Sequence, residues 1–316
     1  MVRAIGLTEF GGPEVLHVMD LPKPEPEAGE VRIRVHSATI NPTDTVLRSG
    51  ARVARFEGRP GPYVPGMDLS GVLDAIGPGT QTTLRPGDRV IAVVRPYGPR
   101  GGAYADFVVA PVESVVAIPD GADFPAASTL LMNALTARLG LDLLAVPAGG
   151  TVAVTGAAGS FGGYAVQLAK ADGLRVLADA APKDVELVTS LGADEVVPRG
   201  DDVAARFREH APEGIDAALD GAVQEALVLP AIRDNGGLST IRGWAGPTER
   251  GIVIHPTWVN DIVTDHARIQ RLRDQASSGV LTLRVADVLP AEQAAEAHRR
   301  LAAGGVRGRL VLDFSE

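Results

Sequence analysis

The segment GAAGSFGG, which begins at Gly156, has the residue types that can hold a pyrophosphate. It follows the apolar run TVAVT and precedes a pattern that predicts a helix beginning near Gly162. Glycines let the backbone approach a phosphate closely, and the unpaired N–H groups at a helix N-terminus then bind it. The order of strand, turn and helix therefore predicts a dinucleotide site. The residues expected to line it are Gly156, Gly159, Ser160, Phe161 and Gly162.

An acidic residue lies where such a site needs one to choose its cofactor. Asp179 ends the next predicted strand, seventeen residues after Gly162. A carboxylate in this place bonds the ribose hydroxyls of NAD and repels the 2′-phosphate of NADP. Taken alone, Asp179 therefore indicates NAD.

Two patterns of secondary structure surround these residues. Up to about residue 120 the chain alternates in the short period of strands, as in VRIRVHSA and DRVIAVV, which predicts a mostly-β domain. Further on, strands and helices alternate, which predicts a doubly wound parallel sheet. Its later strands are expected at 195–197, 215–220, 237–242 and 252–255. After Val259 the pattern predicts a helix, the strand LTLRVADV, a second helix and the last strand RGRLVLDF.

Several longer motifs resemble one family over essentially the whole chain. They are INPTDTVLRSG from Ile40, PYVPGMDLSGVLDAIGPGTQTTLRPGDRVIA from Pro62, GGAYADFVV from Gly101, TVAVTGAAGSFGGYAVQLAK from Thr151 and VRGRLVL from Val306. The chain resembles the medium-chain dehydrogenase/reductase superfamily, in its zinc-free NADPH:quinone oxidoreductase, or zeta-crystallin-like, group. The resemblance implies an α/β fold with a Rossmann domain, residues 123–261, inserted in a GroES-like substrate domain of residues 1–122 and 262–316.

The resemblance also locates the positions that hold catalytic zinc in related alcohol dehydrogenases. A Cys, a His and a second Cys occupy them there, whereas this sequence has Asn41, Met67 and Asn133. Zinc in proteins is bound by thiolate, imidazole or carboxylate groups, so these side chains predict no metal site. Hydride delivery to an acceptor that is already electrophilic, such as a quinone or an enone, needs no Lewis acid.

The expected catalytic residues are also implied by the resemblance, which places Asn41, Asp44 and Thr136 around the nicotinamide and its ribose. A local alternative remains open, because the sequence NPTD is typical of a turn in which Asn41 and Asp44 bond their own backbone. Quinone reductases of this group often carry a Tyr two positions after this Asp, and this sequence has Val46. No general acid is identified from the sequence.

Four further residues are expected at the cofactor. Lys183 stands where the family commonly has a phosphate-binding Lys, and Arg199 stands where the family usually has a Tyr near the 2′-phosphate. These two cations can neutralise Asp179 and bind the phosphate. They favour NADP (NADPH), with NAD kept as an alternative because of Asp179. Arg242 and Gly243 lie where relatives have a loop beside the nicotinamide. In the last strand, Arg309 is interpreted as a strand-edge residue that needs no function.

Composition excludes several other classes of function. The chain has 316 residues, 45% of them hydrophobic and 22% charged, with a net charge of −9 and no cysteine. The negative charge disfavours nucleic acid and anionic membranes as partners, and the lack of cysteine excludes disulfides, thiolate nucleophiles and iron–sulfur clusters. The N-terminus has no apolar signal region, so we expect a soluble, cytoplasmic protein. By family resemblance we expect a homodimer, with IVIHPTW as the pairing edge.

These observations predict a zinc-independent, NAD(P)H-dependent reductase that transfers a hydride to a quinone or an α,β-unsaturated carbonyl compound. Two alternatives remain open at this point. One is a specialised enoyl reductase or ene-reductase of secondary metabolism, because one fold hosts both activities. The other is a dinucleotide-binding sensor or structural protein with little turnover.

Overall fold

The computed structural model describes residues 1–315. Their strands are β1 (Val2–Gly6), β2 (His17–Leu21), β3 (Glu30–Thr39), β4 (Asp68–Ile76), β5 (Arg89–Val93), β6 (Phe107–Pro111), β7 (Val115–Ala117), β8 (Thr151–Thr155), β9 (Arg175–Ala180), β10 (Glu195–Pro198), β11 (Ile215–Asp220), β12 (Ile232–Thr240), β13 (Val253–Pro256), β14 (Val285–Pro290) and β15 (Arg309–Asp313). Their α-helices are α1 (Pro42–Arg48), α2 (Phe124–Ser128), α3 (Leu131–Leu144), α4 (Ser160–Ala171), α5 (Val185–Ser190), α6 (Val203–His210), α7 (His266–Ser277) and α8 (Ala294–Ala303). Within this part of the chain, no helix is long and apolar enough to cross a membrane.

The chain divides into two units. The first consists of residues 1–132, 262–277 and 283–315, and the second of residues 133–261 and 278–282. The first unit contains a mostly antiparallel sheet in the order β14-β15-β3-β4-β5-β7, with β6 paired to β3. Alternate residues of β3 are buried in its core, because successive side chains of a strand point to opposite faces.

The first boundary between the units comes later in the chain than the predicted one after residue 122. The cause is α2, whose residues contact β3 and β4. Its Phe124 stacks on His36 of β3 with ring centroids 4.3 Å apart, and Ser70 Oγ of β4 donates a hydrogen bond to the Phe124 carbonyl at 2.7 Å. These contacts attach residues 123–132 to the first unit.

The second unit is built on a six-stranded parallel sheet in the order β10-β9-β8-β11-β12-β13. Its central strands are buried almost throughout, as expected where helices cover both faces of a parallel sheet. The predicted α/β class with a doubly wound parallel sheet is therefore confirmed. Two strands begin at least four residues away from the predicted position: β14 begins at Val285 rather than at residue 281, and β12 begins at Ile232 rather than at residue 237. The pairing of β12 with β11 shifts register here and Asn235 adopts a φ of +59°, so DNGG forms an irregularity inside the strand.

Candidate functional site

The glycine-rich turn of the second unit connects β8 to α4. Gly156 has a φ of +66°, the left-handed conformation that glycine adopts without strain. At Gly162 a Cβ atom would lie 2.3 Å from the carbonyl oxygen of Gly156, so no larger residue fits. Gly159 is the N-cap of α4 and provides no side-chain cap, which leaves the N–H groups of the first helical turn available to an anion.

The side chain of Asp179, near the end of β9, is directed at this turn. Its Oδ1 accepts hydrogen bonds from the N–H groups of Gly156 at 2.6 Å and Ala157 at 3.4 Å. Burial raises the pKa of this carboxyl group, and these two N–H donors and the charge of Arg199 oppose the rise. Asp179 therefore holds the turn in place, a role that the sequence analysis did not foresee. The ribose contact stays a prediction.

Lys183 and Arg199 follow the ends of two neighbouring parallel strands. Lys183 lies shortly after β9, and Arg199 lies directly after β10, which pairs with β9. The Arg199 N–H donates to the Ala180 carbonyl at 3.0 Å, and both side chains are exposed. The structure thus brings the two predicted cations to the same edge of the sheet as Asp179.

A second buried acid was missed by sequence reasoning. Asp220 ends β11 and accepts hydrogen bonds from the Thr155 hydroxyl at 2.6 Å and from the N–H groups of Gln224 and Glu225 at 3.1 and 2.7 Å. It fixes the loop after β11, whose Gly221 lies directly against the glycine-rich turn. An acidic residue at the end of an apolar strand, as at Asp179, was the available signal.

The remaining predicted residues of the second unit lie in two places. Thr136 is buried in α3. Arg242 and Gly243 lie in the loop after β12, where Arg242 is exposed. Gly243 has a φ of +86°, and a Cβ atom there would lie 2.6 Å from the Trp258 ring, so glycine is required. Cofactor contacts for all three stay predictions.

In the first unit, Asn41 and Asp44 lie at the beginning of α1 and both are fully buried. Asp44 Oδ2 accepts from the Asn41 N–H at 2.7 Å and from the Tyr104 hydroxyl at 2.9 Å, while Oδ1 accepts from the Gly66 N–H at 3.0 Å. Burial raises the pKa of Asp44 to about 6, and these hydrogen bonds lower it in part. The bond between the Asn41 N–H and Asp44 is the local turn that was one of the two alternatives for the sequence NPTD.

The amide of Asn41 belongs to a buried ion-pair network. Arg309 Nη2 donates to Asn41 Oδ1 and to Thr39 Oγ1, both at 2.7 Å, and lies 3.1 Å from Asp68 Oδ2. The Asp68 carboxylate also accepts from the Asn41 amide at 3.2 Å, from the Thr39 hydroxyl at 3.0 Å and from the Met132 N–H at 2.6 Å. Asp68 is 1% exposed and Arg309 is 5% exposed. The interpretation of Arg309 as a strand-edge residue was therefore wrong.

Two further buried residues extend this cluster from the other side of Asp44. The Tyr104 hydroxyl donates to Asp44 and lies 3.4 Å from His298 Nε2. With the phenol proton donated to the carboxylate, the phenol oxygen is free to accept a proton from the Nε2 of a neutral His298 ring. Burial lowers the pKa of His298 to about 3, which keeps the ring neutral.

The positions that correspond to zinc ligands carry groups unsuited to zinc. The amide of Asn41 is already bonded to Asp68 and Arg309, and the neighbouring Met67 is a buried thioether. Asn133 belongs to the second unit. Across residues 1–315, no three His, Cys, Asp or Glu side chains are grouped in a way that could hold a metal ion.

Comparisons with known proteins agree with this arrangement. Residues 27–120 match the family model of the alcohol dehydrogenase GroES-like domain, and residues 191–312 match that of the zinc-binding dehydrogenases. The quinone oxidoreductase of Mus musculus is 30% identical, over 99% of this chain and 98% of its own. The chain belongs to the quinone oxidoreductases of the medium-chain dehydrogenase/reductase superfamily. The predicted family and its fold are thereby confirmed.

Two solved structures of this superfamily fold are especially informative. A mycobacterial protein complexed with NADPH is 29% identical, has a TM-score of 0.87 and aligns over 98% of this chain and 99% of its own. The CurK enoyl reductase is 25% identical, with a TM-score of 0.87 and coverage of 99% of both chains. Proteins named as a quinone oxidoreductase and as an enoyl reductase are thus both similar to this chain over nearly its full length.

Proposed function

We propose that this protein is an NADPH-dependent, zinc-independent reductase that transfers a hydride to a quinone or an α,β-unsaturated carbonyl compound. The observation that carries the proposal is the glycine-rich turn, which fits a pyrophosphate. Gly162 leaves no space for a side chain, the first turn of α4 has no side-chain cap, and Asp179 fixes the turn from behind. The full-length similarity to quinone oxidoreductases supports the acceptor class.

The residues of the second unit fit the parts of NADPH. The first turn of α4 would hold the pyrophosphate, and the exposed cations Lys183 and Arg199 would hold the 2′-phosphate. Asp179 opposes that phosphate less than the sequence suggested, because its Oδ1 is bonded to the turn. When bound, NADPH supplies a hydride. Thr136, Arg242 and Gly243 are proposed contacts of its nicotinamide half.

Asn41 and Asp44 act in this proposal as positioning residues. Both are buried, and their polar atoms are hydrogen-bonded within the first unit. They hold the end of β3, the beginning of α1 and the loop at Gly66 in one fixed arrangement. The zinc-independent character rests on the chemistry of Asn41, Met67 and Asn133, since amides and a thioether are poor zinc ligands.

The deciding experiment follows the absorbance of NADPH and of NADH with and without ortho-naphthoquinone, using dialysed, metal-stripped protein. We expect quinone-dependent oxidation of NADPH that exceeds that of NADH. Replacing Lys183 and Arg199 together by Ala should weaken the binding of NADPH at least tenfold, which is about 1.4 kcal/mol, and leave the binding of NADH unchanged. An equal loss for both cofactors would reject the phosphate site, and activity that requires added zinc would reject the metal-free mechanism.

An enoyl reductase activity is the second candidate, because the CurK enoyl reductase has the same fold over nearly the full length of both chains. An enone and an enoyl thioester in the same assay separate the two. Cofactor binding without turnover of any acceptor would favour the low-turnover alternative. The proposed homodimer is supported by β13, an edge strand of the parallel sheet whose Val253 is 53% exposed.

A further inference from the structure

Tyr97 carries a buried hydroxyl group that has no hydrogen-bond partner in the described part of the chain. It lies in a tight turn after β5, in which the Gly98 N–H donates to the Arg95 carbonyl at 2.9 Å. Its side chain is 7% exposed, and its hydroxyl oxygen is buried without a partner. Because an unsatisfied buried hydroxyl destabilises a fold, a phenylalanine would serve packing better here. The packing of the described residues therefore does not account for this hydroxyl.

The strand register places this turn beside the buried network of the first unit. Val93, the last residue of β5, is the cross-strand partner of Asp68 in β4, and Asp68 is the partner of Thr39 in β3. The turn with Tyr97 thus follows at the same end of the sheet as Asn41. The charge of Asp44 also acts on the Tyr97 phenol. Tyr97 therefore lies at the same end of the sheet as the positioning residues Asn41 and Asp44.

The surroundings of the Tyr97 ring are aromatic and positively charged. The Phe56 ring lies 4.9 Å from it at 49°, and the Arg55 guanidinium lies over it at 5.9 Å from the centroid. Burial raises the pKa of the phenol, and the charges of Arg52 and Arg55 lower it in part. The phenol therefore keeps its proton at neutral pH and is a hydrogen-bond donor. An oxygen atom that carries negative charge is its best partner.

We propose that the Tyr97 hydroxyl binds the acceptor substrate by donating a hydrogen bond to its carbonyl oxygen, with Arg52 and Arg55 favouring the negative charge that this oxygen gains. This inference rests on the proposed reductase function. In the reduction, the acceptor gains a hydride and then a proton from water, and Tyr97 keeps its own proton. The hydrogen bond strengthens as the charge develops on the oxygen, so it favours the transition state over the bound substrate.

The segment that lies against the ring is only partly buried. It is the short 3-10 helix Val53–Phe56, in which Val53 is 49% exposed and Arg55 is also exposed, whereas Phe56 is 4% exposed and packs on the Tyr97 ring. A ligand oxygen that reaches the Tyr97 hydroxyl must displace part of this segment. The exposed residues Val53 and Arg55 are the ones whose movement costs least.

Tyr97→Phe tests the proposal, because it removes only the hydroxyl and retains the ring. The matched control is Tyr63→Phe in the same aromatic cluster, where the Tyr63 hydroxyl is satisfied by the Arg59 carbonyl at 3.1 Å. Both variants are compared with the wild-type protein by kcat and KM for ortho-naphthoquinone with NADPH and by thermal melting. We expect Tyr97→Phe to lower kcat/KM for the quinone about tenfold, which corresponds to about 1.4 kcal/mol, at an unchanged or higher Tm. Tyr63→Phe should lower Tm and keep kcat/KM within about twofold.

The outcomes separate the inference from the function on which it rests. A wild-type protein that reduces neither quinones nor enones overturns the proposed function and this inference with it. An active wild-type protein with an unaffected Tyr97→Phe variant overturns the inference alone. The inference also fails if Tyr97→Phe lowers Tm together with activity, or if both variants lose activity equally, since the hydroxyl would then have a structural role.

Discussion

Replacing Arg309 by Met should destabilise the first unit by about 3 kcal/mol, because it leaves a charged carboxylate buried without its guanidinium. Asp68 is 1% exposed, and Arg309 Nη2 lies 3.1 Å from its Oδ2. Removing one partner of such a pair typically costs about 3 to 5 kcal/mol. The lower value applies here, because the Met132 N–H, the Thr39 hydroxyl and the Asn41 amide still donate to the carboxylate. Methionine retains an unbranched apolar stem, so the lost volume is small.

The assay is a double-mutant cycle of Arg309→Met, Asp68→Asn and the two together, followed by urea unfolding at pH 7. Both tryptophans, Trp244 and Trp258, lie in the second unit, so their fluorescence alone does not report on the first. Hydrogen exchange measured peptide by peptide resolves the units. We expect Arg309→Met to exchange faster than the wild type in β3, β4 and β15, and at an unchanged rate in β8 and β9. The double variant should lose about 2 kcal/mol less stability than the sum of the two single losses. A loss below about 1 kcal/mol for Arg309→Met, or a coupling below about 0.5 kcal/mol, would refute the reasoning.

Two further predictions follow from buried titratable groups. Asp179→Ala should weaken the binding of NADPH and of NADH by a similar factor, about tenfold or more, because the Gly156 N–H loses a charged acceptor at 2.6 Å. Fluorescence titration with both cofactors checks this. A change in the ratio of the two affinities without a loss common to both would contradict it. His298, with its pKa lowered from 6.5 to about 3, contributes stability that is fully present above pH 6.5 and is lost as pH falls towards 3. Between pH 7 and pH 5 that loss is about 2 kcal/mol. The free energy of unfolding of His298→Leu, measured with urea, should therefore fall by about 2 kcal/mol less between these two pH values than that of the wild type. Equal falls for the two proteins would argue against it.

The glycine-rich turn could be predicted because its requirements are local. A left-handed φ at Gly156 and a missing Cβ at Gly162 leave a direct record in the residue types, and the flanking periodicities define strand and helix. The pattern also gave the end of β9 near Asp179. It did not show that the carboxylate turns back to the backbone of Gly156, because the period of a strand indicates the face of a side chain and not its hydrogen-bond partner.

The buried network of the first unit could not be predicted, because its members are distant in the sequence. Arg309 and Asp68 are separated by 241 positions, and their contact depends on the pairing of β15 with β3 and of β3 with β4. Each of these residues resembles an ordinary surface charge when only its neighbours are considered. The same holds for Tyr97, whose unpaired hydroxyl becomes apparent only when the surrounding atoms are in place.

The position of Arg309 in the chain imposes an order on biosynthesis. Arg309 bonds to Thr39, which the ribosome makes 270 residues earlier, whereas β8 to β13 are complete by residue 256. The sheet of the second unit therefore has all its strands before the last strand of the first unit exists. Until β15 is released, Asp68 lacks its counter-ion and β3 lacks one of its neighbours. The first unit is thus the late-maturing part of the nascent chain, and the part for which protection by a chaperone during synthesis matters most.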